Sequence, residues 1–202
     1  MKDCDLLHYT GVSSRICKVL SDTEVEVSLD DLHQSLFLYG PAGTGKSVLA
    51  AAILAESLFS RIHPFAVRTL INGGNVPQFA KQYRFIRIPE LLMQFKASYQ
   101  SKYEQSETDL VDLYSQAKLL VLDDLGAEMT TNWSYQMLYL IVDNRYSEML
   151  PTIFTSNLNL RELAERFSDE RLVSRIIEMC GKDKIRKING QSYRLNALKT
   201  PG

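Results

Sequence analysis

Short apolar runs recur along the chain at Ser35–Tyr39, Phe85–Ile88, Leu119–Leu122 and Thr152–Thr155, with a weaker one at Lys184–Ile188. Runs this short, with apolar residues at successive positions, fit strands buried on both faces, as in a parallel sheet. Between them the spacing becomes helical. Gly45–Arg61 is rich in Ala and Leu, and Pro89–Tyr103 sets Leu92, Phe95 and Tyr99 three to four apart behind a first-turn proline. Trp133–Glu148 repeats the spacing with Trp133, Met137, Leu140 and Ile141, and Thr131 or Asn132 serves as N-cap. Leu160–Phe167 and Glu170–Cys180 read as shorter helices. Leu91–Ala117 is long enough for two, breaking at Gln105–Thr108. This alternation predicts βαβ units around an open, five-stranded parallel sheet. Residues 1–34 carry no strong pattern and are expected to be a short extension. Residues 62–84 contain Asn72-Gly73-Gly74-Asn75 and read as a surface hairpin or loop.

Composition narrows the class without naming a chemistry. The 202 residues suit one α/β domain, and 23 basic against 24 acidic side chains leave a net charge of −1. A wholly basic nucleic-acid binder is excluded, so any such contact must come from a local patch. The longest apolar run, Val48–Ala55, falls far short of the roughly 20 residues that a membrane helix needs. Cys4, Cys17 and Cys180 are widely spaced and form no CxxC pair, which points to reduced thiols in a cytoplasmic protein without membrane attachment.

The chemistry lies at the strand ends. Gly40-Pro41-Ala42-Gly43-Thr44-Gly45-Lys46-Ser47 matches GxxxxGK(S/T) between a strand and an Ala-rich helix, with Val48 next in the helix. Glycines let backbone N–H groups curl around phosphate oxygens, and the helix turns its positive end toward the same anion. Lys46 is expected to reach the β- and γ-phosphates of ATP, and the Ser47 hydroxyl to ligate Mg²⁺. A second apolar strand ends in Asp123-Asp124. Because successive strand residues point to opposite faces, the two acids take different jobs. Asp123 supports Mg²⁺, and Asp124 orients the attacking water. A third strand ends in Thr155-Ser156-Asn157, where Asn157 has two readings, a sensor of the γ-phosphate or the N-cap of the next helix.

The order of P-loop, aspartate pair, polar strand end and basic helix resembles an AAA+ ATPase of the ASCE P-loop class, a three-layer α/β/α fold. LLVLDDLGAE, NRY, LPTIFTSNLNLRELAERF, ERLVSRI and SYRL at 192–195 narrow the resemblance to the DnaC/IstB-like ATP-binding proteins, bacterial helicase loaders and transposition helper ATPases. It runs from about residue 35 to 195 and implies an ATPase domain over 35–197 followed by a tail at 198–202. It places Asn157 at sensor I and Arg175 at the arginine finger that reaches ATP on the adjacent subunit. Arg171, one turn earlier on the same face, is the second candidate. Both arginines also read as surface ion-pairing residues beside Glu170 and Glu178. Only 27 residues follow Arg175, so the C-terminal lid is expected to be reduced or absent.

The resemblance implies an ATPase, weak alone and completed by a neighbour, that assembles as a ring or spiral with itself, on single-stranded DNA and/or a replicative helicase. Two alternatives stand beside this loader role: a transposition helper whose partner is a transposase, and a nucleotide-gated module acting on a host loader. Lys96, Tyr99, Lys102 and Tyr103 lie three to four apart and suit single-stranded DNA, with charge for phosphates and rings for bases. The competing reading packs the tyrosines inward and leaves the lysines in solvent. Lys182, Lys184, Arg186 and Lys187 form a second basic cluster, read as a solvated strand edge.

Overall fold

The computed structural model describes residues 34–59, 82–100, 106–127, 131–167 and 169–189. Nearly all of the N-terminal extension, the Asn72–Asn75 turn, Lys102, Tyr103, the SYRL segment and the tail lie outside the described residues, as does the side chain of Tyr99. The elements run β1 (Leu36–Tyr39), α1 (Lys46–Phe59), β2 (Tyr83–Arg87), α2 (Ile88–Gln100), α3 (Glu107–Ser115), β3 (Leu119–Leu125), α4 (Asn132–Ser147), β4 (Thr152–Ser156), α5 (Leu160–Phe167), α6 (Arg171–Cys180) and β5 (Ile185–Lys187). The five strands form one parallel sheet in the order β2-β3-β4-β1-β5.

The alternation within each strand sorts side chains into two cores. Leu36, Leu38, Leu119, Val121 and Ile153 pack with Leu49, Ala50 and Ile53 of α1. Phe37, Leu120, Leu122 and Phe154 face the other way and pack with residues of α2 to α6. Both strand faces are therefore dry, which is why β1 and Leu119–Leu122 of β3 read as unbroken apolar runs and β4 sets Ile153-Phe154 between buried threonines. Full burial of a side chain such as Phe154 or Leu120 contributes about 1.5–3 kcal/mol. No described helix is long and apolar enough to cross a membrane.

Several boundaries differ from the expected ones. Ile88 opens α2 rather than closing β2, so Pro89 occupies the second helical position, where its missing N–H is still not needed. The break between α2 and α3 falls where expected: Ser106 caps α3, its Oγ accepting the Asp109 N–H at 3.2 Å while Asp109 accepts the Ser106 N–H at 2.8 Å. Thr131, not Asn132, caps α4 by accepting the Ser134 N–H. β3 continues three residues beyond Leu122 and includes both acids.

One position was not foreseen. Arg145, near the C-terminal end of α4, is fully buried and has no carboxylate partner among the described residues. Its guanidinium donates to the carbonyls of Tyr114, Ser115, Ala117 and Pro151 at 2.6–3.0 Å, and its Nε donates to Thr152 Oγ1 at 2.8 Å. Two of those carbonyls end α3, where a cation also complements the helix dipole. Burial lowers the arginine pKa to about 9, which leaves it charged at neutral pH. Arg145 thus ties the end of α3 and the starts of β3 and β4 together. Replacement with Met removes five hydrogen bonds, takes this donor from the Tyr114, Ser115 and Ala117 carbonyls, and is expected to cost about 3–5 kcal/mol in urea unfolding, with Lys recovering only part. A loss below about 1 kcal/mol, no more than a surface substitution typically costs, would contradict this role.

Candidate functional site

β1 reverses the sheet's direction of winding. The chain steps from it to the distant edge strand β2, returns through β3 and β4, and ends at β5 on its other side. A crevice at the strand C-termini of such a switch point is where open α/β sheets take ligands, and the Gly40–Ser47 loop leaves β1 there. Gly40, Gly43 and Gly45 all have positive φ. At Gly40 the requirement is absolute, because a Cβ would lie 2.4 Å from the Ile188 carbonyl oxygen. The Gly40 N–H donates to the Ser156 carbonyl at 3.2 Å, which seats the start of the loop against β4. Thr44 is buried and its hydroxyl donates to the Pro41 carbonyl. Ser47 is exposed, and Val48 is half-buried.

Lys46 opens α1 and folds back under the loop. Its Nζ donates to the Gly40 carbonyl at 2.8 Å, the Pro41 carbonyl at 2.7 Å and Asn157 Oδ1 at 2.9 Å. Burial lowers the Lys46 pKa, while Asp124 and Asp123 pull against that shift. The ammonium is therefore held among acceptors in a partly dry, negatively charged setting, suited to receiving phosphate oxygens.

The acids reach this lysine through β4. The Thr155 hydroxyl donates to Asp123 Oδ1 at 2.6 Å and accepts the Asp124 N–H at 2.9 Å. Asn157 Nδ2 donates to Asp124 Oδ1 at 3.1 Å, so one amide joins Asp124 to Lys46. Asp123 is buried, and Asp124 is partly open. The difference between them does not arise from plain strand alternation, as expected, but from a bulge. The β3–β4 register passes from Leu122↔Phe154 to Leu125↔Ser156, leaving one extra residue in β3, and Asp124 takes φ +65°. A left-handed aspartate is tolerated but uncommon, and such strain concentrates at working sites.

The two readings of Asn157 are now separated. Asn159, not Asn157, caps α5: its Oδ1 accepts the Glu162 N–H at 3.0 Å, and Glu162 accepts the Asn159 N–H at 2.8 Å. Thr155 went unrecognised as a working residue, although the small polar end of β4 was its signal. Arg87, also unforeseen, ends β2 in register with Asp123 and pairs with Glu90 in the first turn of α2.

Arg171 and Arg175 both lie on α6 but are held differently. Arg171 spends Nε and Nη2 on Asp169, which also accepts its backbone N–H, and its guanidinium sits 5.0 Å from the Tyr139 ring. Arg175 donates from Nε to Asp143 of α4 at 2.8 Å and lies 4.3 Å over the Tyr146 ring. Among the described residues, the hydrogen bonds, ion pairs and ring contacts of both arginines go to α4, α6 and Asp169 rather than to the P-loop or the acids. Of the DNA-binding candidates only Lys96 has a described side chain, and it is exposed on α2. The second basic cluster lies at the β5 sheet edge, as expected, with Arg186 and Lys187 exposed.

A family model described as IstB-like ATP binding protein matches residues 1–200. The replicative helicase loader DnaI of Bacillus subtilis is 29% identical over 139 residues, covering 67% of this chain and 37% of the relative. A putative ATP-binding protein of insertion sequence IS232 from Bacillus thuringiensis is 27% identical over 172 residues, covering 84% and 60%. The chain thus spans 37% and 60% of the length of these relatives, less than two thirds of either. The crystal structure of the DnaC helicase loader matches with a TM-score of 0.57 at 22% identity, covering 87% of this chain and 98% of that one, a likeness of fold.

The Thr155 bridge yields a prediction. Thr155→Val keeps the side-chain shape but removes a hydrogen bond to a buried carboxylate and orphans the Asp124 N–H. The expected loss is about 3 kcal/mol in urea unfolding, largely restored by Thr155→Ser. A loss below about 1 kcal/mol for Val, with a larger loss for Ser, would show that the methyl group, not the hydroxyl, matters.

Proposed function

The chain belongs to the IstB-like ATP-binding family and has the AAA+ P-loop fold, and from that premise we propose that it is a cytoplasmic ATPase of the helicase-loader type. In this reading it binds ATP with Mg²⁺ and hydrolyses it weakly alone. It assembles as a ring or spiral on single-stranded DNA and/or a replicative helicase, and Arg175 of each subunit serves the nucleotide of its neighbour. The observation that carries the reading is the continuous set of contacts from Asp123 through Thr155, Asp124 and Asn157 to Lys46.

Each residue has a distinct task. The loop from Gly40 to Ser47 gives its N–H groups to the phosphates at the positive end of α1. Lys46 exchanges the Pro41 carbonyl and Asn157 for phosphate oxygens. The donor set fits a hard cation: the exposed Ser47 hydroxyl and the Asp123 carboxylate would hold Mg²⁺ beside the phosphates, which suits an ion bound by few protein ligands. When bound, that ion neutralises charge on the phosphate oxygens. Asp124, oriented by the Asn157 amide, accepts a proton from the attacking water and keeps it in line. Arg175 stabilises charge on the γ-phosphate from the adjacent subunit.

A transposition-helper role is the second reading, favoured by the IS232 relative, with a transposase in place of the helicase. The site chemistry is the same in both. Copurification with a replicative helicase, or with a transposase, from the native host under ATP separates them.

Lys46→Ala is expected to abolish ATP binding. Asp124→Asn is expected to retain binding but lose about 100-fold or more in turnover. Specific activity should rise with protein concentration in the unaltered chain, and Arg175→Ala should remove that rise with a loss of about 10³. Titration with a fluorescent ATP analogue checks binding, and steady-state phosphate release over a protein concentration series checks turnover. Unchanged turnover in Asp124→Asn, or a strictly concentration-independent rate, would contradict the proposal.

A further inference from the structure

The seam between α4 and α6 is a ladder of rings and charges. Tyr139, Asp143 and Tyr146 recur every three to four residues along one side of α4. Arg171 and Arg175 do the same on α6 and stack on Tyr139 and Tyr146. Asp143 is itself approached by the Tyr139 hydroxyl at 3.4 Å, and Glu178 is drawn to the Tyr146 hydroxyl.

Within this ladder Arg175 is fixed from two directions by the neighbouring helix. Asp143 takes Nε, and the Tyr146 ring lies under the guanidinium. Glu178 meets Nη1 only at 3.5 Å, a contact at the outer limit for a hydrogen bond. The guanidinium side chain still keeps 33% of its surface exposed. Arg171 has no such cross-helix carboxylate among the described residues; its fork is spent on Asp169, just before its own helix.

We propose that Asp143 and Tyr146 are positioning residues that hold Arg175 in one pose in the free subunit, ready for the nucleotide of a neighbouring subunit. The inference rests on the reading that Arg175 acts in trans. A long arginine side chain is rotamer-rich, and restricting it before assembly lowers the ordering cost when subunits meet. Binding at Nε is what a positioning carboxylate requires, since it takes one edge of the fork and not the whole of it. A partly exposed ion pair contributes little to folding, so a purely structural explanation predicts little effect of its loss.

The test is subunit complementation in phosphate release, with oligo(dT) present. Asp143→Ala and Tyr146→Leu keep an intact P-loop, whereas Lys46→Ala keeps an intact Arg175 beside a disabled P-loop. Each positioning variant alone is expected to lose about tenfold in turnover or more, with ATP affinity unchanged, since a displaced group of this kind costs up to about 10²-fold. Mixed with Lys46→Ala, each should exceed the sum of the separate rates several-fold. Asp143→Asn, near-isosteric, provides the same reading should Asp143→Ala fold poorly. Full activity of the positioning variants alone overturns the proposal. So does a mixture that stays at the sum while Arg175→Ala with Lys46→Ala recovers. If that control also stays at the sum, Arg175 does not act in trans, and the proposal falls with the reading beneath it.

Discussion

The Thr155 hydroxyl makes two hydrogen bonds at once, donating to the Asp123 carboxylate and accepting the Asp124 N–H. Both can exist only if β3 and β4 end side by side with one extra residue in β3, because a regular ladder gives Asp124 no reason to turn its N–H toward Thr155. The bulge and the left-handed Asp124 satisfy that condition. Once Asp124 is turned, its carboxylate meets the Asn157 amide, and the amide meets Lys46. A buried acid, a half-open acid and a lysine of lowered pKa then share one crevice. Such environmental separation is how similar side chains are assigned different chemical tasks.

The opposite end of the sheet is held by different means. Arg145 gathers carbonyls from α3, from the approach to β3 and from the turn before β4, together with the Thr152 hydroxyl. Thr152 and Thr155 lie on the same strand, so the residue that fixes the start of β4 also sets where its polar end arrives. The low dielectric around Arg145 makes each hydrogen bond more demanding, which favours one arrangement over near alternatives. The P-loop is secured from both sides of β1, by the Ser156 carbonyl of β4 and by the Ile188 backbone just beyond β5. Nothing in this lattice lies on a long, independent loop.

The fold was legible because its signals are local. Two-sided burial leaves unbroken apolar runs at β1 and in the first four residues of β3, the polar cluster at Gln105–Thr108 marks a helix break, and Thr131 marks a helix start by type. The P-loop residues and the acids were readable for the same reason, since motif and flanking elements adjoin in the chain. Long-range pairing was not readable. Arg145 looks like a surface arginine near a helix end until the carbonyls it serves are brought together from 28 to 31 residues away. Thr155 is one small polar residue among three until the bulge aligns it with the acids. The cap reading of Asn157 could not be settled from sequence, because capping depends on which residue turns back toward Glu162, and in the fold that residue is Asn159. The arginine pair on α6 was ambiguous because their separation depends on Asp143, supplied by another helix.

The central claim is that Lys46 and Asn157 stand ready to receive a nucleotide phosphate while Asp124 keeps its orientation. A crystal structure of this chain with Mg²⁺ and a non-hydrolysable ATP analogue tests it most directly. The account predicts that Lys46 Nζ leaves the Pro41 carbonyl and Asn157 for phosphate oxygens, while Asn157 stays on Asp124 and Thr155 still bridges both acids. A nucleotide bound elsewhere, or bound with Lys46 still on the Gly40 and Pro41 carbonyls, would contradict it.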